Sequence, residues 1–185
     1  MDVKNIIRID QSKIYYNKPS FIKKIKYLFT KDCTYLRWKY IKYMRLCDNL
    51  CYSENVFNNF KKIYFQRKKN KYGLKLGYEI NCKNIKAGLL LYHNGPIVIN
   101  GNSIIGENCS LHGDNCIGNN GIDDKCPIIG DNVEIGVGAK IIGNISIASN
   151  VKIGAGAVVV NSIKTEGCTV VGIPAKIVKV GGKNE

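Results

Sequence analysis

Aliphatic residues recur at every sixth position through the second half of the chain, and this period restricts the fold more than any other feature. An α-helix repeats about every 3.6 residues and a β-strand every 2, so neither produces this spacing. A parallel β-helix with three flat faces per turn produces it, because each hexapeptide forms one face and one corner. Asp123 departs from the period without changing its phase, which predicts a loop there. The aliphatic positions are Ile99, Ile105, Leu111, Ile117, Ile129, Ile135, Ile141, Ile147, Ile153 and Val159.

A second set of positions follows the first by four residues and holds mostly small or β-branched side chains. We expect both sets to point into the prism, and the Gly or Ala that often follows the aliphatic residue to permit tight corners. Ile85, Leu91 and Ile97 already keep the register of this second set. Its later members are Ser103, Cys109, Asn115, Val133, Ala139, Ile145, Val151, Ala157 and Ile163.

The chain divides by composition near residue 75. Residues 76–185 carry the repeat and predict the β-helix, which is therefore the larger part of a mainly β protein. Residues 1–75 are predicted to form a basic α-helical extension, in which 1–19 is a polar, weakly ordered lead.

Local signals place the elements within these two parts. Residues 20–50 have aromatic and aliphatic side chains at near-helical spacing. A further helix is predicted from Asn55 to Lys69, with Ser53 as its cap and Gly73 at its end. The segment Gly172-Ile173-Pro174-Ala175-Lys176 predicts a turn that closes the prism.

The positive charge of the chain lies mainly before Lys75. The chain has 28 Lys and Arg against 14 Asp and Glu, a net charge of +14. Three interpretations are open: a solvated helix face, contact with anionic lipid or a lipid-linked phosphate, and nucleic-acid binding. Nucleic-acid binding is the weakest, because neither a stacking platform nor a known binding module accompanies the charge.

Several classes of protein are disfavoured by composition. The chain has no apolar stretch of about 18 residues and no apolar segment near its start, so neither a membrane span nor a secretory signal is expected. Eight cysteines without paired CxxC spacing favour reduced thiols and a cytoplasmic location. With two histidines, neither near a cysteine pair, no metal site is expected.

Three segments resemble the hexapeptide-repeat acyltransferases, and in particular their serine acetyltransferase-like branch, which includes polysaccharide O-acetyltransferases. They are LLLYHNGPIVINGNSIIGENCSLHG (89–113), IIGDNVEIGVGAKIIGNISIASNVKIGAGAVVV (128–160) and VGIPAKIV (171–178). The resemblance covers roughly residues 76–180. It implies a left-handed parallel β-helix, assembly as a homotrimer, and acetyl-CoA as the acetyl donor.

The resemblance also implies roles for three residues. His93 corresponds to the general base that takes the proton of an acceptor hydroxyl, a task suited to imidazole near neutral pH. By extrapolation of the six-residue period, His93 falls on an inward position. Glu79 is nominated to orient His93, although it lies one residue closer than the corresponding Asp of the serine enzymes. His112 follows His93 by about one turn of the predicted prism, so we expect it to stack on His93 from the next coil and to bind the acceptor or assist proton transfer.

The loop around Asp123 bears on the acceptor. The serine enzymes carry an Arg-His pair before a Pro there, and this pair grips the serine carboxylate. This chain has Lys125-Cys126-Pro127 instead, and Cys126 cannot replace the imidazole donor. These departures favour a sugar hydroxyl, with Asn94, Asp123, Asp124 and Lys125 as candidate acceptor-binding residues.

Small residues at the corners are candidates for binding acetyl-CoA. They keep a groove open along a coil edge, and in the resembling enzymes the matching groove lies between subunits. An equally good interpretation is that the corners require small residues for turning. The candidates are Gly118, Gly138, Ala139, Gly156 and Ala157, with Lys176 for the phosphates.

The leading hypothesis is an acetyl-CoA-dependent O-acetyltransferase acting on a sugar hydroxyl of a bacterial surface polysaccharide or its precursor. It would be cytoplasmic, with peripheral contact at the inner face of the membrane as a further expectation. The alternatives are a serine O-acetyltransferase, an N-acetyltransferase of amino sugar nucleotides, and a non-catalytic β-helix scaffold. Two histidines on successive coils disfavour the scaffold.

Overall fold

The computed structural model describes residues 1–15, 20–30, 32–51, 55–81 and 83–180, without the side chains of residues 21, 24 and 28. The chain forms two compact units that divide between Tyr78 and Glu79. The first is helical and the second is a parallel β-helix. The expectation of a mainly β fold with a helical N-terminal region is confirmed.

Four helices form the first unit: α1 (Val3–Ile14), α2 (Phe21–Thr30), α3 (Cys33–Asn49) and α4 (Val56–Leu76). The prediction that residues 1–19 are weakly ordered is wrong for residues 3–14, which form α1. A buried ion pair joins α1 to α3, with Arg45 Nε donating to Asp10 Oδ2 at 2.8 Å. Sequence alone missed α1 because a polar residue, Asp10, occupies its buried face.

The last helix begins and ends differently from the prediction. Asn55 caps α4, and its side chain accepts a hydrogen bond from the N–H of Phe57; Ser53 lies outside the described residues. Gly77, at φ 80°, ends the helix in the left-handed conformation that favours glycine. Gly73 lies inside the helix instead, where an added Cβ would come within 2.7 Å of the Tyr78 carbonyl oxygen.

Helix α4 leaves large apolar side chains in solvent. Phe57, Phe60, Ile63 and Leu74 are all mostly exposed. Among the described helices, none combines the length and the apolar composition that crossing a bilayer requires.

Three parallel sheets form the prism of the second unit. Sheet 1 comprises β1 (Tyr78–Ile80), β4 (Ile97–Ile99), β7 (Asn115–Gly118), β10 (Lys140–Ile142) and β13 (Val158–Val159). Sheet 2 comprises β2 (Asn84–Ile85), β5 (Ile104–Ile105), β8 (Ile128–Ile129) and β11 (Ser146–Ile147). Sheet 3 comprises β3 (Leu90–Leu91), β6 (Ser110–Leu111), β9 (Glu134–Ile135), β12 (Lys152–Ile153), β14 (Thr169–Gly172) and β15 (Ala175–Lys179). In this last sheet β15 runs antiparallel to β14, which confirms the turn predicted at 172–176.

The two predicted sets of inward residues fill the prism. Every aliphatic residue on the six-residue period is at most 3% exposed, and every member of the second set is buried. Burial raises the pKa of the Cys109 thiol to about 11, so this side chain behaves as a small protonated core residue.

The predicted loop at Asp123 is confirmed. Ile141 pairs with Ile117 across one coil, and Ile147 pairs with Ile129 across the next. The first pair spans four hexapeptides of sequence and the second spans three, so the coil from Ile117 to Ile141 holds one hexapeptide more. The insertion lies in the loop 119–127, between β7 and β8, and its length explains why the period resumes in phase.

Asparagines line the corners that lead from sheet 2 to sheet 3. Asn108, Asn132 and Asn150 all have positive φ, between 56° and 62°. Their side chains form a ladder, with Nδ2 of one donating to Oδ1 of the next at 3.2 and 3.1 Å. Asn150 Nδ2 then donates to Glu166 Oε1. Asparagine suits both demands, because it tolerates the left-handed conformation and both donates and accepts.

Candidate functional site

Both histidines lie on one edge of the prism, where sheet 3 of each coil turns into sheet 1 of the next. We call this edge, formed by residues 92–96, 112–114, 136–139 and 154–157, the histidine edge. The first two corners carry His93 and His112, and the last two are made of small residues and Val137. Parallel stacking of the coils therefore joins two imidazoles to a glycine-rich strip.

His93 is exposed because its corner is longer than the repeat predicts. Leu91 and Ile99 are both buried in the prism, although their separation in sequence is two residues more than one hexapeptide. This insertion shifts the phase, so Leu91 takes the inward position and His93 and Asn94 face solvent. The expectation that His93 falls on an inward position is wrong, and the ring is accessible for chemistry.

Tyr92, and not His93, stacks on His112. Leu91 pairs with Leu111 on the next coil, which sets the following residues Tyr92 and His112 next to each other. Their ring centroids are 4.3 Å apart with an interplanar angle of 23°. The prediction that His112 stacks on His93 is therefore wrong, because the stacked ring is that of Tyr92. His93 still belongs to the neighbouring corner, since a Cβ at Gly113 would lie 3.5 Å from its Cβ.

His112 has a carboxylate partner that the sequence reasoning missed. Its Nε2 lies 3.1 Å from Oε1 of Glu134, on the next coil. Lys152, one coil further, places Nζ 3.9 Å from the other oxygen of Glu134. A signal existed: once one hexapeptide is assigned to the loop, the period aligns Glu134 with Ser110, which precedes His112 by two positions.

Asn115 braces the corner that carries His112. Its side chain is buried, accepts from Gly113 N at 2.9 Å and donates to the carbonyl of Gly136 at 2.8 Å. It thus ties two successive corners of the histidine edge together. Sequence reasoning treated Asn115 only as an inward residue.

Glu79 points outward from β1, the first strand of the coil that ends at the corner carrying His93. Its carboxylate accepts a long contact of 3.5 Å from Asn81 Nδ2. The pairing of Glu79 with His93 stays a prediction.

The loop 119–127 lies on a different edge of the prism, between sheets 1 and 2. Asp123, Asp124 and Lys125 are exposed there. One hydrogen bond lies within the loop, with Asp123 Oδ1 accepting from Lys125 N, and another comes from the preceding coil, with Asn102 Nδ2 donating to the Asp124 carbonyl. Within one chain, the loop and His93 therefore belong to different edges.

The candidate cofactor residues separate into three places. Gly138 and Gly156 are on the histidine edge at positive φ, and an added Cβ at Gly156 would meet no atom within 4 Å, so this corner is open. Ala139 and Ala157 lie beside them, but their side chains are fully buried in the prism, which leaves only their backbone for a ligand. Gly118 is on the loop edge. Lys176 is exposed on β15, at the end of sheet 3 opposite β3.

The described residues contain no cluster of three His, Cys, Asp or Glu side chains able to hold a metal ion. Gly138 and Gly156 leave an open strip on the histidine edge.

The chain is similar in sequence to bacterial serine acetyltransferases. That of Synechococcus elongatus is 37% identical over 97 residues, which are 51% of this chain and 39% of the relative. That of Staphylococcus aureus (strain Mu50) is 44% identical over 96 residues, 51% of this chain and 45% of the relative. The chain thus spans less than half the length of the curated relatives it matches. No protein-family model matches it.

Solved structures extend the similarity to nearly the whole chain. The serine acetyltransferase of Neisseria gonorrhoeae matches 98% of this chain and 68% of its own, with a TM-score of 0.73 and 29% identity. That of Brucella abortus in complex with coenzyme A matches 98% of this chain and 69% of its own, with a TM-score of 0.74 and 26% identity. The expected resemblance to the serine acetyltransferase-like branch of the hexapeptide-repeat acyltransferases is confirmed.

Proposed function

We propose that the chain is an acetyl-CoA-dependent O-acetyltransferase whose active site is the histidine edge. The observation that carries the proposal is the exposed His93 at one end of a strip of open glycine corners. A similar protein whose structure was solved with coenzyme A supports the same class of donor.

In this proposal His93 is the general base. It takes the proton of the acceptor hydroxyl as that oxygen attacks the thioester carbonyl. The carbon–sulfur bond then breaks, and coenzyme A leaves with the electron pair and receives the proton from His93. An alcohol is a weak nucleophile near neutral pH, and a positioned base typically contributes about 10²–10⁴ in rate. Glu79 is proposed to orient His93, and Asn94 and His112 to hold the acceptor.

The donor is proposed to lie along the histidine edge. Gly138 and Gly156 leave room there, the backbone of Ala139 and Ala157 offers hydrogen-bonding groups, and Lys176 supplies charge for the phosphates. Gly118 and the loop 119–127 belong to another edge, so they join the site only if a neighbouring copy brings them there. We therefore propose the homotrimer as the functional form.

The acceptor has two candidates. Serine is supported by the names of the relatives. A sugar hydroxyl is supported by the loop: Cys126 stands where the resembling enzymes have a carboxylate-binding His, and this side chain is only 6% exposed. Exposed Asp123, Asp124 and Lys125 offer hydrogen-bonding groups that suit sugar hydroxyls.

The expectation of contact with an anionic lipid surface, at the inner face of the membrane, rests on charge alone. It stays a prediction.

The test is thiol release from acetyl-CoA with serine, free sugars, nucleotide sugars and polysaccharide fragments as acceptors. Release with serine alone would exclude the sugar, and release with a sugar but not serine would exclude serine. No acceptor-dependent release with any of them would contradict the proposal and favour the scaffold.

His93→Ala should lower turnover at least about 100-fold, because the hydroxyl loses its base. The KM for acetyl-CoA should stay near the wild-type value. Lys164→Ala, an exposed change on another edge, is the control and should keep full turnover. Wild-type turnover in His93→Ala would remove His93 from the mechanism.

A further inference from the structure

The contact between His112 and Glu134 distinguishes the two nitrogens of the imidazole. A carboxylate can only accept a hydrogen bond, so the Nε2 that lies 3.1 Å from Glu134 Oε1 must carry a proton. In a neutral ring Nδ1 is then the unprotonated nitrogen and can accept a hydrogen bond.

The local sequence explains why this carboxylate reaches this ring. Glu134 pairs across the coils with Ser110, a small residue that leaves space above it. Leu111 pairs with Ile135, so the next residue, His112, lies opposite Gly136. Gly136 has no side chain to displace the ring. The contact is therefore a diagonal one between neighbouring coils, within reach of long side chains.

Two further residues fix the pair. Tyr92 covers one face of the imidazole in the stacked contact at 4.3 Å. Lys152 Nζ lies 3.9 Å from Glu134 Oε2, the carboxylate oxygen that does not contact His112. The His112 side chain remains 28% exposed, so a ligand can still approach the ring.

We propose that Glu134 is a positioning residue: it fixes His112 as the Nε2–H tautomer and so presents Nδ1 to accept a hydrogen bond from a donor group of the acceptor other than the hydroxyl that His93 deprotonates. The tautomer follows from the contacts alone, whereas the acceptor rests on the proposed function.

The chain is suited to a direct test, because it contains only two histidines. In protein labelled with ¹⁵N-histidine, two-bond ¹H–¹⁵N correlations at about pH 8, where imidazole is ordinarily neutral, report which nitrogen carries the proton. The His112 signals are those that remain in His93→Gln. We expect the Nε2–H pattern for His112 in the wild type, a mixture of tautomers in Glu134→Ala, and restoration in Glu134→Gln, whose amide oxygen can still accept from Nε2.

Kinetic measurements distinguish a positioning role of Glu134 from a role in the stability of the fold. Glu134→Ala should lower kcat/KM for the acceptor about tenfold through a higher KM, and leave the KM for acetyl-CoA unchanged. Glu134→Gln should recover most of this loss. Glu107→Ala removes an exposed carboxylate from another edge and should change neither quantity.

Two spectroscopic outcomes would overturn the proposal: the same tautomer in Glu134→Ala as in the wild type, or a mixture of tautomers in the wild type. Equal losses for both substrates in Glu134→Ala, with no recovery in Glu134→Gln, would also overturn it. A wild-type protein without acetyl transfer would refute the proposed function instead, and the spectra would still decide the tautomer.

Discussion

Asn115 shows how one buried side chain supports the geometry of a solvent-exposed site. Its inward position is filled in later coils by Ala139 and Ala157. The amide instead satisfies Gly113 N and the carbonyls of Gly136 and Ala139. Gly113 N donates to this amide, whereas the carbonyls of Gly136 and Ala139 also accept from Ala139 N and Cys116 N. Asn115 is therefore a stability determinant of the corner that carries His112.

Asn115→Ala should destabilise the protein by about 1–3 kcal/mol, because the buried Gly113 N–H loses its side-chain acceptor. The measurement is the midpoint of denaturant unfolding followed by circular dichroism. Asn161→Ala, an exposed asparagine substitution, is the control and should leave the midpoint within error. An unchanged midpoint in Asn115→Ala would show that water replaces the amide.

At the scale of elements, α1 and α3 are joined by a charge pair removed from water. Asp10 is fully buried and Arg45 is 4% exposed. Both oxygens of the carboxylate take part, with Arg45 Nη2 donating to Oδ1 at 3.4 Å. Such a pair contributes little net stability, but removal of one partner leaves the other as an uncompensated buried charge.

Asp10→Leu should therefore lower the free energy of unfolding by about 3–5 kcal/mol, while the double variant Asp10→Leu with Arg45→Met should recover most of that loss. Thermal and denaturant unfolding of both variants measure the difference. Lys86→Ala, which breaks the exposed pair with Asp131, should cost no more than about 1 kcal/mol. A double variant as unstable as the single one would contradict this account.

The β-strands were more predictable than the corners that connect them. Inward aliphatic residues such as Ile117 and Ile141 follow from the period, because the prism interior admits one kind of side chain at one spacing. The position of His93 did not follow, since the longer corner that carries it shifts the phase locally. To identify Glu134 as the partner of His112, one must know that the loop 119–127 holds the extra hexapeptide. Periodicity alone does not show which corner contains it.

At the scale of the whole molecule, the net positive charge lies in the helical unit and the hexapeptide repeat lies in the other unit. Residues 1–78 hold 19 Lys and Arg against five Asp and Glu, so they carry the entire net charge of +14. Residues 79–185 have nine of each sign. The helical unit is therefore the part of the chain that responds to salt and to anionic partners, whereas the β-helix is close to neutral.

Light scattering at micromolar concentration should give three times the chain mass of 20.6 kDa, because the proposed site needs two edges from different copies. The measurement is made at low and at high salt, since repulsion between the basic helical units is screened by salt. A monomer at both salt concentrations would remove the homotrimer and the groove between subunits.

The loop 119–127 leaves the β-helix at Gly118 and re-enters it at Ile128 without changing the pairing on either side. Its length and chemistry can therefore vary between homologous proteins while the coils keep their packing. If the loop binds the acceptor as proposed, exchange of this short segment would be a route to a new acceptor preference on an unaltered scaffold.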